Sequence, residues 1–202
     1  MKKLIFISIL MGVLNAKIKA STVAIQATTT FLQASNLIVP PTNSKIQVAL
    51  LLDTSNSMDG LIDQAKSRIW EIVNTLTTLK YQGATPEIEI ALYEYGNDGL
   101  DSRNGYIRQV TPLTKDLDLI SEKLFALKTN GGSEFCGNVI QTSLNDLKWE
   151  DGNNTMKLIY ISGNEPFNQG PIDYKKAISN ALNNKVYVNT IYCGDKESGI
   201  RE

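Results

Sequence analysis

At 202 residues, 42% hydrophobic and 20% charged, the chain has the composition of an ordinary globular protein and the length for one substantial core. A formal net charge of -1, with no basic run longer than a lysine pair, argues against nucleic acid or an anionic membrane surface as a partner. The sequence contains no histidine. That removes the commonest general base, a Ser-His-Asp triad and the usual zinc ligand together, so any catalysis would rest on carboxylates, cysteine or lysine.

The first twenty residues, MKKLIFISILMGVLNAKIKA, carry two lysines, an apolar segment from Leu4 to Leu14, and small residues at Ala16 and Ala20 where a peptidase can cut. This is the pattern of an export signal over 1–20, and its apolar core is too short for a permanent bilayer span, which needs about twenty residues. No later segment is a better candidate. Export to the periplasm or the medium follows as the expected localisation, in an oxidising compartment where the only two cysteines, Cys136 and Cys193, could pair. Residues 21–44 mix Thr, Ser and Ala with a proline pair and show no sustained period, as expected of a tail or linker.

From Lys45 the pattern changes to alternating strands and helices. Ile46–Leu52 is an apolar run without a polar face, fitting a strand buried on both sides of a parallel sheet. Ile62, Ala65, Ile69, Ile72, Val73, Leu76 and Leu79 then recur at helical spacing. PEIEIALYEYG alternates as a strand, and after a Gly/Asn/Asp turn a shorter strand around Tyr106–Val110 completes a hairpin-like pair at a sheet edge. Helical faces follow at Leu117–Leu127, Val139–Leu147 and Tyr174–Leu182, interleaved with the strands KLIYIS and KVYVNTIY. The sum is an α/β chain: an open, doubly wound, mostly parallel sheet with helices on both faces, whose ligands belong outside the carboxyl ends of the strands. Asp53–Gly60, Ser162–Pro171 and the residues from Gly194 onward fall at that end, and TNGGSEFCG, before a helix, can reach it. Cys136 and Cys193 also fall there, which is the basis for expecting them to be bonded.

The segment DTSNS ends the first strand. Asp53, Ser55 and Ser57 stand at alternate positions, so near-extended backbone points their oxygens to one side. One carboxylate and two hydroxyls are hard donors suited to Mg2+, Mn2+ or Ca2+, too few for a closed cage, leaving places for water or for a ligand's carboxylate. The plain alternative is that Asp53 and a serine cap the next helix. An EF-hand loop is excluded, since Met58 and Gln64 occupy positions where glycine and glutamate are required. A phosphatase with a strand-end aspartate nucleophile would want a second acid where Ser55 stands.

VALLLDTSNSM after a buried strand, a Gly-Gly-Ser segment opening a later helix and LIYISGNEP at the next strand end together resemble a von Willebrand factor type A (VWA) domain over roughly Lys45–Gly194. A bacterial secreted subgroup resembles the chain more closely still, through DTSNSMDGLIDQAK, the Cys-Gly after the Gly-Gly loop and GNEPF. The resemblance implies a Rossmann-like VWA domain over 45–202 and a metal-ion-dependent adhesion site (MIDAS). In such a site the D-x-S-x-S side chains, a threonine from a second loop and an aspartate from a third hold a weakly bound divalent cation, Mg2+ or alternatively Mn2+ or Ca2+. Asp53, Ser55 and Ser57 match in full. Ser133 replaces the threonine and keeps a hydroxyl, and Glu134 beside it could supply another oxygen or favour the helix start. In the third loop Ser162-Gly163-Asn164 stands where the family has Thr-Asp-Gly, leaving Asn164 and Glu165 as substitutes. The resemblance further implies a chain that stops short of the family's last strand and helix, with strand 185–192 left as an edge. The function that follows is an exported, noncatalytic protein-binding module for adhesion or envelope assembly, not an enzyme, whose metal takes an acidic side chain from another protein. The alternatives are a metal-independent scaffold with a degenerate site and, less favoured, a metal-assisted phosphatase.

Overall fold

The computed structural model describes residues 44–81 and 83–194. The export signal expected over 1–20, nearly all of the tail expected over 21–44, and the residues after Gly194 lie outside the described residues.

The strands are β1 (Lys45–Asp53), β2 (Glu87–Tyr95), β3 (Ile107–Thr114), β4 (Thr155–Gly163) and β5 (Val186–Tyr192). The helices are α1 (Ile62–Thr77), α2 (Leu117–Ala126), α3 (Cys136–Asp146) and α4 (Tyr174–Asn183). One sheet runs in the order β3-β2-β1-β4-β5. β1 pairs in parallel with both β2 and β4, and β4 with β5. Only β3 runs antiparallel, so the expected hairpin-like edge is present, and β3 accommodates Pro112 and two register irregularities because it is an outer strand.

β1 explains the architecture. Its even residues, Ile46, Val48, Leu50 and Leu52, pack with Ala65, Ile69, Val73 and Leu76 of α1 and with Ile120 and Leu124 of α2. Its odd residues, Ala49 and Leu51, pack with Val139 and Ile140 of α3 and Ala177 and Ala181 of α4. A strand covered on both faces has no place for alternation, and each fully buried Leu or Ile contributes about 1.5–3 kcal/mol of burial. The expected doubly wound α/β class is therefore the observed one. Among the described residues no helix is long and apolar enough to cross a membrane.

The same two layers overturn the expected disulfide. Cys136 and Cys193 are both free thiols. They do lie toward the same end of the sheet, but Cys136 opens α3 and belongs to the α3–α4 layer, whereas Cys193 packs with the α1–α2 layer, so the sheet stands between them. Cys136 Sγ contacts Tyr95 Oη at 3.7 Å, while Cys193 Sγ sits 3.1 Å from Ser162 Oγ.

Candidate functional site

The first loop is built by β1 running out between β2 and β4. Thr54 N donates to the Tyr95 carbonyl at 2.9 Å, carrying the parallel pairing one residue past Asp53. Ser55 N then donates to Asp53 Oδ1 at 2.8 Å, and a short 3-10 turn over Asn56–Met58, anchored by fully buried Met58, brings Ser57 Oγ within 2.8 Å of Ser55 Oγ. The alternate spacing thus converges the two hydroxyls. Helix capping is not their task, for Ser55 makes no side-chain cap of the turn and α1, whose N-cap is Leu61, has no side-chain cap either.

Asp53 is fully buried, and its Oδ2 is the one buried side-chain nitrogen or oxygen among the described residues without a hydrogen-bond partner. Such an atom loses its water and receives nothing in exchange, a cost of about 1–3 kcal/mol. Burial pushes the Asp53 carboxyl up to about 7 against the hydrogen bonds from Ser55, and the negative charges of Glu134 and Glu165 push it further the same way.

The second loop is held from below. Buried Lys66, on α1, donates to the Leu127 carbonyl at 2.7 Å and the Phe125 carbonyl at 3.4 Å, fixing the end of α2. Asn130 N reaches the Thr54 carbonyl at 3.0 Å, and Asp98 N donates to the Gly131 carbonyl. Gly132 lies against the Gly96 carbonyl with no room for a side chain. Of the two candidates that follow, Ser133 is half-buried, whereas Glu134 is only 6% exposed and accepts a hydrogen bond from Gln169 Nε2 at 2.8 Å.

In the third loop Asn164 does not face Asp53 as a lost aspartate would. Its Oδ1 accepts from Ser57 Oγ at 2.9 Å and its Nδ2 donates to the Ser57 carbonyl at 3.2 Å, clamping the first loop. Glu165 is half-buried and close enough for its charge to raise Asp53. Sequence reasoning passes over Tyr95, Gly96, Lys66 and Gln169. Gly96 has φ +78°, and a Cβ there would lie 2.9 Å from Asp53 Oδ1, so the β2 end must be glycine to let the carboxylate in. The Gly96 signal was readable as a glycine directly after an alternating strand; the other three sit in ordinary strand, helix or loop contexts.

The donor set fits a hard divalent cation. An orphaned carboxylate oxygen stands near two hydroxyls and further carboxylates, all oxygen, with no sulfur or imidazole in the set. No group of three or more His, Cys, Asp or Glu side chains placed to hold a metal occurs among the described residues, so any cation held here would need hydroxyl oxygens among its donors.

No family model and no curated protein sequence matches the chain. Solved structures do. The SpRpn10 VWA domain is similar at 15% identity and TM-score 0.56, with 76% of this chain and 78% of that one covered. Proximal thread matrix protein 1 from the mussel byssus, in a structure with a zinc-occupied MIDAS motif, is 14% identical at TM-score 0.55, covering 74% of this chain and 38% of that one. An aerotolerance-related membrane protein from Bacteroides fragilis, carrying multiple mutations to serines, is 16% identical at TM-score 0.51, with 74% and 68% covered. At these identities the likeness is one of architecture: the fold is the VWA fold.

Proposed function

We propose that the chain is an exported, noncatalytic protein-binding module in which Asp53, Ser55 and Ser57, with Ser133 from the second loop, hold a divalent cation of the Mg2+ type. When bound, the cation supplies an electropositive centre that accepts a carboxylate from a partner protein. The observation that carries the reading is Asp53 Oδ2, a fully buried carboxylate oxygen with no donor, at the carboxyl end of the central strand. A fold that buries such a group without a partner is accounted for if a cation completes it. The setting, adhesion or envelope assembly outside the cytoplasm, rests on the export pattern of residues 1–20, and the zinc-occupied MIDAS motif of the byssus protein is consistent with metal use on this fold.

Calorimetry with Mg2+, Mn2+ and Ca2+ on wild type and Asp53→Asn tests the metal. A pull-down from the source cell's envelope, with and without chelator, tests whether partner binding depends on it. Metal heats that vanish in Asp53→Asn, with chelator-sensitive capture, support the reading; identical heats and capture in both proteins sink it. One observation favours a second reading, a metal-independent scaffold: Gly163 offers no side chain where the third ligand is expected, and Asn164 is engaged with Ser57. In that case binding persists in chelator and in Asp53→Asn.

A further inference from the structure

We infer that Glu134 supplies the second carboxylate of the cation site, taking over from the third loop, with Gln169 as the residue that aims it. This deepens the metal reading above and rests on it. Position 163 of the third loop cannot carry the ligand for a steric reason. A Cβ on Gly163 would fall 2.7 Å from Tyr95 Oη and 3.1 Å from Asp53 Oδ2. Tyr95 cannot step aside, since it is fully buried in the α3–α4 layer and its hydroxyl donates to the Ser162 carbonyl at 3.2 Å. Any side chain at 163 therefore collides with the phenol or with the carboxylate it is meant to assist.

Glu134 approaches from the opposite side. The point where a Gly96 Cβ would sit lies 2.9 Å from Asp53 Oδ1 and 3.2 Å from Glu134 Cγ, so the two acidic side chains meet across that glycine. A glutamate buried to 6% exposure is not a solvated helix-start charge, and no lysine or arginine pairs with it among the described residues. Its single side-chain donor there is neutral: Gln169 Nε2 holds Oε2, and Oε1 is left without a hydrogen bond. The oxygen of Asp53 on the Glu134 side is Oδ1, held by Ser55 N, and the orphaned Oδ2 lies on the Gly163 side. The Asp53 carboxylate as a whole therefore has a second acid beside it and one oxygen without a donor, a pair of like charges that a shared cation relieves. The neutral Gln169 contact orients the carboxylate and leaves its charge available, as an outer partner of a metal ligand does.

Mn2+ is the probe, followed by calorimetry and by water-proton relaxation on wild type, Glu134→Gln, Gln169→Leu, Glu165→Gln and Asp53→Asn, with far-UV circular dichroism to verify folding. Glu134→Gln keeps the shape and the contact with Gln169, and it should weaken Mn2+ at least about tenfold. Gln169→Leu should weaken it by a smaller factor, and half-buried Glu165→Gln least. Wild-type affinity in both Glu134→Gln and Gln169→Leu, with binding still lost in Asp53→Asn, overturns the inference and leaves the cation site standing. Identical Mn2+ heats in wild type and Asp53→Asn overturn both.

Discussion

The loops that follow β1 and β4 leave adjacent parallel strands at the same end of the sheet, yet they serve the site in opposite ways. The loop after β1 turns its side chains inward: a buried aspartate, then two hydroxyls 2.8 Å apart. The loop after β4 turns inward only backbone, at Gly163, and spends its first polar side chain, Asn164, on bracing Ser57. The cause is not in either loop. Tyr95, at the end of β2, reaches under β1 to the Ser162 carbonyl and fills the volume that a side chain on the β4 loop would need. The absence of a side chain at position 163 is thus tied to packing two strands away.

The sharpest way to break the contrast is Asp53→Asn. Metal binding should be abolished, since the substitution removes the only formal charge of the D-x-S-x-S motif. The metal-free protein, in contrast, should become more stable. Its folded carboxyl sits at about 7 against an ordinary value of 3.8, so the folded state binds the proton more tightly than the unfolded one. The stability this gives is complete below about pH 4, is lost as pH rises through about 7, and is flat above. The total change is on the order of 4 kcal/mol at most. Denaturant unfolding at pH 4, 6 and 8 should show this decline in wild type and little of it in Asp53→Asn. Protons and cation compete for the same oxygens, so metal affinity in wild type should fall as pH drops below about 7.

The next effect sharpens the role of Tyr95. Gly163→Ala forces a Cβ to 2.7 Å from the phenol oxygen and should cost about 1–3 kcal/mol, with Gly163→Asp costing at least as much and gaining no metal affinity. In a Tyr95→Phe background the nearest clashing atom is gone, so Gly163→Ala should cost less than it does alone. A double-mutant cycle by urea denaturation measures that coupling; strict additivity would show that the crowding at 163 does not come from Tyr95.

A smaller effect belongs to Asn164. Asn164→Ala removes two hydrogen bonds to Ser57 at a half-buried position, so destabilisation should be about 1 kcal/mol or less. Partner binding should fall only modestly, because the substitution loosens one neutral donor and leaves Asp53 in place.

What could be read from the letters was whatever repeats with a short period or ends abruptly. The run Ile46–Leu52 before Asp53, six of its seven residues apolar, identifies a strand covered on both faces, and the three-four spacing from Ala65 to Leu76 identifies α1. DTSNS was legible as oxygens at alternate positions, and the structure brings the Ser55 and Ser57 hydroxyls within 2.8 Å of each other. Tyr95 was not, because a tyrosine at a strand end gives no sign of which carbonyl its hydroxyl will meet 67 residues later. Gln169 is equally silent, a polar loop residue until the fold brings it to Glu134. The cysteines were half legible. Cys193 shares the parity of Ile191 on β5, and Cys136 shares the face of Val139, Ile140 and Ser143 on α3, so each could be assigned a direction. Which side of the sheet α3 would take was not written in its periodicity, and the pairing failed on that point.

The two thiols extend the contrast between the layers to its smallest measurable consequence. Cys136 is buried, with its thiol pushed up to about 12 chiefly by burial and further by the charges of Asp53 and Glu134, against the contact with Tyr95. Cys193 is raised as well, again by burial first, but it is only half-buried and shares its contact with Ser162 Oγ. Neither is a ready thiolate near neutral pH, and nucleophilic attack requires the thiolate. A thiol-specific reagent on the folded protein should therefore label Cys193 slowly and Cys136 not at all, with both reacting at once in denaturant. Mass spectrometry of protein held under mild oxidant should find no intramolecular bridge, since the sheet lies between the two sulfurs. Equal and rapid labelling of both would mean that α3 opens at its first turn. Glu134 precedes that turn by two residues, so Mn2+, by holding Glu134 in place, should then slow the labelling of Cys136 and leave that of Cys193 unchanged.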